Sequence, residues 1–163
     1  MSESRNLDTV IRTEVDNLKK ELDSVEPLLA KLRIEDPDPI ELRAIATTLH
    51  AFYGGIERIF LQVAKHIDDN MPAGASWHRA LLNQMVAPID ARNAVIDEAF
   101  RDRLSEYLGF RHFYRHAYPM SLKWDRIQPL VNTLQQTHQE LEVAMVRFIE
   151  SLNDGASGAP FDP

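Results

Sequence analysis

Apolar residues at Leu7, Ile11, Val15, Leu18, Leu22, Val25, Leu29 and Leu32 are separated by three or four positions throughout. Steps of that size return to one face of a helix, whereas a strand needs alternation at every second residue. The stripe therefore predicts a helix, which Pro27, lacking an N–H, should bend or interrupt about one turn earlier. A second stripe, Leu42, Ile45, Leu49, Phe52, Ile56, Ile59, Val63 and Ile67, predicts a long helix entered through DPDPIE. In that entry Asp38 caps, Pro39 takes the first helical position and Glu41 reaches back to complete a capping box. Gly54 and Gly55, in the middle of this helix, each cost roughly 1 kcal/mol against alanine. Such a pair points to a close backbone approach, either to another helix or to a dimer partner.

Beyond the break DDNMPAGAS, Ser76 is the expected N-cap of a short helix around Trp77–Met85, which Pro88 ends. Val95, Ile96, Ala99, Phe100, Leu104, Tyr107 and Leu108 again have helical spacing over residues 91–110, with Gly109 as a weak point. Pro119 closes whatever helix runs through RHFYRHAY. A last long helix turns Ile127, Leu130, Leu134, Leu141, Met145, Phe148 and Leu152 to one side. The end, NDGASGAPFDP, is rich in Gly, Pro and Ser and is expected to be disordered over residues 153–163. No strand pattern or repeat competes. The expected fold is all-α: an antiparallel helical bundle over residues 1–152, with three long helices and two or three shorter ones. Stripes of this length also suit a helix-mediated homodimer.

Composition narrows the chemistry. A chain of 163 residues makes one domain, and 44% apolar with 26% charged residues is ordinary for a globular protein. The absence of cysteine excludes disulfides, thiolate metal sites, iron–sulfur clusters and cysteine nucleophiles. MSESRNLDTVIRTEVDNLKK interleaves charge with apolar residues, unlike a signal peptide, and no run of 18 apolar residues occurs. The expectation is a soluble cytoplasmic domain that does not enter a membrane. The net charge is −7, which argues against a broad nucleic-acid surface. Residues 101–126, however, hold six basic side chains (Arg101, Arg103, Arg111, Arg115, Lys123, Arg126) against Asp102, Glu106 and Asp125. A basic segment inside an acidic chain suggests a local anion site, or simply a basic solvated helix face.

Several chemistries fail on spacing. Glu-x-x-His pairs for a carboxylate-bridged metal are missing: Phe60 stands three residues after Glu57, and Arg101 three after Glu98. No HExxH, Gly-rich phosphate loop or G-x-S-x-G occurs. His112 and His116 are one turn apart but lack a third ligand nearby, so no metal is expected. What stands out is Leu108-Gly109-Phe110-Arg111-His112-Phe113-Tyr114-Arg115-His116-Ala117-Tyr118, where Arg, His and Tyr are packed among aromatics. In the plain reading the aromatics bury and the basic groups snorkel. In the chemical reading the set suits phosphodiester cleavage without a metal. Arginine offers a permanently charged fork to phosphate oxygens, and histidine exchanges protons near neutral pH. Five residues of regular helix put Arg111 and His116 about 140° and about 7.5 Å apart. Either the backbone departs from helix near the pair, or a symmetry-related copy completes the site.

Arg-x4-His-x-Tyr, here Arg111, His116 and Tyr118, resembles the motif of the HepT-like branch of the HEPN superfamily, and His112 fits the polar residue usual after the arginine. LHAFYGGIERIFLQVAKHID, PAGASWHRALLNQM and FRHFYRHAYPMSLKWDRIQPL are similar in order and spacing to blocks of HepT-like proteins, so the resemblance covers roughly residues 5–150. It implies an all-helical homodimer of HEPN type with the motif residues meeting in a cleft at the dimer interface. It further implies a metal-independent endoribonuclease toxin that needs no cofactor. The implied partners are RNA and an MntA-type minimal nucleotidyltransferase, which would neutralise the toxin by attaching AMP to the motif tyrosine. Carried over, Arg111 would hold the scissile phosphate and His116 would act as acid and base. Tyr118 would line the RNA path and accept the AMP. His112, Arg115 and Glu57 would support them. The alternative is an inactive module of the same fold that docks a partner protein.

Arg43 and His50 also match a loose Arg-x4–6-His pattern, but Phe52 stands where the tyrosine belongs and Ala44 follows the arginine, so the match is discounted. Glu57 is read as a surface or tyrosine-bonded carboxylate beside Tyr53, or as a support to the site. Trp77 and Trp124 are read as wedges of short helices, and His50, His66, His78 and His138 receive no role.

Overall fold

The structure is a computed structural model, and residues 2–157 are described. They form six α-helices, α1 Ser2–Ser24, α2 Glu26–Leu32, α3 Pro39–His66, α4 Trp77–Gln84, α5 Glu98–His116 and α6 Trp124–Ser157, with a 3₁₀ turn at Pro119–Ser121. No strand occurs among the described residues, and none of their helices is long and apolar enough to cross a membrane. The all-α bundle is as expected, but four of its helices are long. Gly109 does not break α5, which joins the two stretches that the sequence reading kept apart. Its start is set by Asp97, whose side chain accepts from Phe100 N at 2.7 Å, so Val95 and Ile96 are buried ahead of the helix instead of within it.

α1 runs antiparallel to α3 and to α6, and α5 antiparallel to α6, as their pairings show. Leu18 lies against Gly55 while Glu14 meets Arg58, which sets α1 against α3. Val15 O accepts from His138 Nε2 at 3.1 Å, while Ile11 lies beside Met145 and Ile149, which sets α1 against α6. Arg103 pairs with Glu140 at 2.6 Å, and the Tyr107 hydroxyl reaches Leu130 O and Thr133 Oγ1, both at 2.9 Å. These contacts set α5 against α6. The α3 helix is the spine, with Ile45, Leu49, Phe52, Ile56, Ile59 and Phe60 completely or almost completely buried. A helix that is apolar on several faces has to be surrounded, and α1, α4, α5 and α6 surround this one.

Local chemistry accounts for the boundaries. Pro27 sits in the first turn of α2, and the chain steps out of helix at Val25, as the missing N–H requires. The capping box at Asp38 is complete: Glu41 N donates to Asp38 Oδ1 at 2.8 Å and Asp38 N to Glu41 Oε1 at 3.0 Å. Ser76 occupies the N-cap of α4 without a side-chain capping bond. Pro129 falls inside α6, where it removes only the bond to the Asp125 carbonyl in the helix's first turns. The disorder expected of residues 153–163 does not begin at 153, because α6 continues through Ser157; residues 158–163 lie outside the described residues.

One tie was not foreseen. The Arg92 side chain is wholly buried and all five of its N–H groups are used. Nε and Nη2 donate to the two Asp68 oxygens at 2.6 and 2.7 Å, and the rest go to the carbonyls of Ala87, Asn93 and Gln84. Gln84 Nε2 adds a bond to Asp68 at 2.7 Å. This clip pins the connection between α4 and α5 to the end of α3. Removing one partner would leave an uncompensated buried charge, at a cost of about 3–5 kcal/mol.

Candidate functional site

The cleft of interest lies between α4 and the second half of α5, and has a volume of ≈ 330 Å³. Its walls include His78 and Arg79 of α4, and Arg111, His112, Arg115 and His116 of α5. Helical spacing explains the α5 wall. Residues 108, 111, 112, 115 and 116 recur at steps of three and four and so face one way, toward α4. On the other side Tyr107, Phe110 and Tyr114 hold α5 to α3 and α6 through ring packing and hydrogen bonds.

At the base of the cleft stands Glu57 of α3, only 4% exposed. It is not the surface carboxylate that the sequence allowed, and its oxygens do not turn to Tyr53. Arg111 Nη1 donates to Glu57 Oε1 at 2.9 Å, and His78 Nδ1 lies 2.6 Å from Glu57 Oε2. Arg111 Nη1 is also 3.0 Å from His78 Nδ1. A ring nitrogen has one in-plane position, so Nδ1 either donates to the carboxylate or accepts from the guanidinium. The shorter contact, to a carboxylate that can only accept, puts a proton on Nδ1 directed at Glu57. The guanidinium then sits beside the ring, and Glu57 accepts from both. Trp77 stacks on the imidazole, ring centroids 3.6 Å apart, and limits its rotation.

The field around this group acts on its neighbours. Burial holds the His50 imidazole below its ordinary value, and the cations Arg111 and Arg115 push it the same way against a smaller opposing effect of Glu57. Burial pushes the Tyr53 phenol up, Glu57 adds to this, and Arg111 and Arg79 oppose it. Arg111 Nε and His50 Nε2 are buried with no hydrogen-bond partner, a cost of about 1–3 kcal/mol for each such group.

The residues singled out in the sequence are distributed as follows. Arg111, His112, Arg115 and His116 line one cleft, and Glu57 reaches it through Arg111 and His78. The rings of His112 and His116 meet edge-on with centroids 4.9 Å apart. Tyr118 lies beyond the end of α5, 78% exposed and outside the cleft walls. The helix remains regular through His116, so the backbone does not bring His116 round to Arg111. The imidazole that reaches Arg111 within one chain is His78, which received no role from the sequence pattern. Its separation of 21 and 33 residues from its two partners left no periodic signal. Arg79, next to it, was missed for the same reason and is held by a bond from Nη1 to Ser105 Oγ at 2.9 Å. Among the described residues no group of three or more His, Asp or Glu side chains gathers where a metal ion could be held.

Comparison with known proteins gives one family. The model described as HepT-like protein matches residues 44–152, well over half of the chain, from the first turns of α3 almost to the end of α6. No curated protein and no solved structure matches.

Proposed function

The chain belongs to the HepT-like family, a HEPN-type family of toxins and ribonucleases, and from that premise we propose that it is an endoribonuclease toxin that cleaves RNA without a metal ion. One observation carries the reading. Arg111 is fixed by a buried carboxylate at the base of a cleft that His116 also lines, so a cationic fork and a proton-exchanging group face the same space. Bound there, a phosphodiester would place its non-bridging oxygens on Arg111, with Arg115 and Arg79 adding positive charge. His116 at the exposed end of α5 would exchange a proton with the sugar or the leaving oxygen. His112, edge-on to His116, would orient it. A second copy of the chain would extend the path for the RNA strand beyond this cleft.

The Tyr118 hydroxyl, on an exposed segment just past the cleft, suits modification by an MntA-type nucleotidyltransferase. An AMP group there would add bulk and negative charge beside the cations that attract RNA. A docking role alone, without cleavage, is favoured by a different observation. Phe113, Tyr118 and Met120, on the last turn of α5 and the segment that follows it, are large apolar side chains left 41%, 78% and 87% exposed.

The test is incubation of the purified protein with RNA and a chelator, beside His116→Ala. His116 is exposed at a helix end, so its removal should leave the fold alone. The expected result is fragments from the unaltered protein and a rate lower by about 100-fold or more in the variant. Intact RNA, or equal decay in both samples, would leave only the docking role.

A further inference from the structure

The cleft holds two imidazoles from different helices, and their surroundings differ. His116 is on the last turn of α5, exposed, with its ring edge-on to that of His112. His78 is 23% exposed, stacked on Trp77, with Nδ1 fixed by a carboxylate whose side chain is 6% exposed. Its other nitrogen, Nε2, makes no hydrogen bond among the described residues and belongs to a ring that lines the cleft. An imidazole with Nδ1–H on a carboxylate presents Nε2 as a lone pair. When Nε2 takes up a proton, the new positive charge appears next to Glu57, which is there to balance it. Arg111 Nη1 lies 3.0 Å from Nδ1 of this ring, so a phosphate held by the guanidinium would lie beside the same imidazole.

We propose, resting on the ribonuclease reading above, that His78 is the general base of the cleft and His116 the general acid, both in one chain, acting on a ribose 2′-hydroxyl. His78 Nε2 removes the 2′-hydroxyl proton as the 2′-oxygen forms its bond to phosphorus. The bond from phosphorus to the 5′-oxygen breaks, and that oxygen leaves with the proton of His116. The products are a 2′,3′-cyclic phosphate and a 5′-hydroxyl: one proton has passed from the 2′-hydroxyl to His78 and one from His116 to the 5′-oxygen, with no change of oxidation state. In-line displacement requires base and acid on opposite sides of phosphorus. Five residues of helix separate Arg111 from His116 by about 7.5 Å along α5, and His78 stands at the Arg111 end of that span. The spacing that is too long for Arg111 and His116 to share one atom therefore suits an acid and a base that must not. The substrate class follows: the 2′-hydroxyl is obligatory, so RNA is cut and DNA is not.

A role for His78 in packing alone predicts something different, and two substrates separate the cases. One is an ordinary ribonucleotide phosphodiester; the other is the matching 3′-ester of p-nitrophenol, whose leaving group needs no proton. Both are to be cut in the presence of chelator by the unaltered protein, His78→Gln and His116→Ala. On the ordinary substrate both variants should fall by about 100-fold or more. On the activated ester His116→Ala should recover to within about tenfold of the unaltered protein, while His78→Gln should remain about 100-fold down, because the base is still missing. Binding of an uncleavable 2′-deoxy oligonucleotide by His78→Gln checks that the cleft survives. If that variant does not fold, Glu57→Gln serves instead: it keeps the shape and one of the two acceptor oxygens but lacks the balancing charge. It should move the acidic limb of the kcat/KM profile to lower pH, and an unmoved limb overturns the assignment. Undiminished cleavage by His78→Gln, or its rescue by the activated ester, removes His78 as base and leaves the ribonuclease reading standing. Failure of the unaltered protein to cut either substrate removes both.

Discussion

Glu57 shows how much one buried side chain can organise. Its two oxygens serve a guanidinium and an imidazole from different helices, and the sequence could not reveal this because the three residues share no spacing. The motif arginine and histidine were legible because Arg, His and Tyr crowd a short stretch of α5. His78 was hidden because it stands alone beside Trp77 at the start of a helix of eight residues. The same cluster has a consequence for stability. His50 is held below its ordinary value of 6.5, first by burial and then by Arg111 and Arg115. As pH falls through about 6.5 the unfolded chain takes up a proton here that the folded chain refuses, so the unfolded state binds more protons and stability drops. Above that range both states are neutral and the residue contributes nothing. His50→Gln should therefore flatten the dependence of urea stability on pH between about 7 and 5. An unchanged slope would place the titration elsewhere.

Among the elements, the seam between α1 and α3 is the most exacting. A Cβ built on Gly55 would lie 2.4 Å from Leu18 Cδ2 and 3.0 Å from its Cγ, and Leu18 is buried, so the whole side chain has to shift within the core. A Cβ on Gly54 meets only Arg58 Nη1, at 3.8 Å. The pair that the sequence marked as a close approach is thus one contact within the chain and one ordinary helix position. Gly55→Ala should destabilise by about 1–3 kcal/mol through overpacking. Gly54→Ala should be neutral or stabilise by up to about 1 kcal/mol. Chemical denaturation of the two variants checks this, and similar values for both would disprove the asymmetry. Helix positions were easy to read where apolar stripes and caps agree, as at Asp38 and Pro39. They were misread between residues 91 and 97, where buried Val95 and Ile96 keep helical spacing while a loop tied down by Arg92 carries them. Periodicity records burial, and a pinned loop can bury side chains as well as a helix does.

For the molecule as a whole, the family match begins at residue 44, yet the core does not. Leu7, Ile11, Val15, Leu18 and Leu22 of α1 are all buried within the same cluster as α3 and α6. Fully burying a side chain of this size is worth about 1.5–3 kcal/mol, and a small domain has only about 5–15 kcal/mol in hand. A chain of residues 44–152 alone should therefore lose cooperative unfolding and bind ANS, and a sharp thermal transition in it would show that α1 is dispensable. The bundle was legible at this scale because stripes of such length leave few other ways to hide apolar surface. The cleft was not, because it forms only where α3, α4 and α5 converge.

Arg92 adds one more property to that whole. All its nitrogen-bound hydrogens are engaged and none of the side chain meets solvent. Such hydrogens trade with deuterium only when the surrounding structure comes apart. The group that fastens one connection is therefore also a built-in clock, counting how often the protein opens.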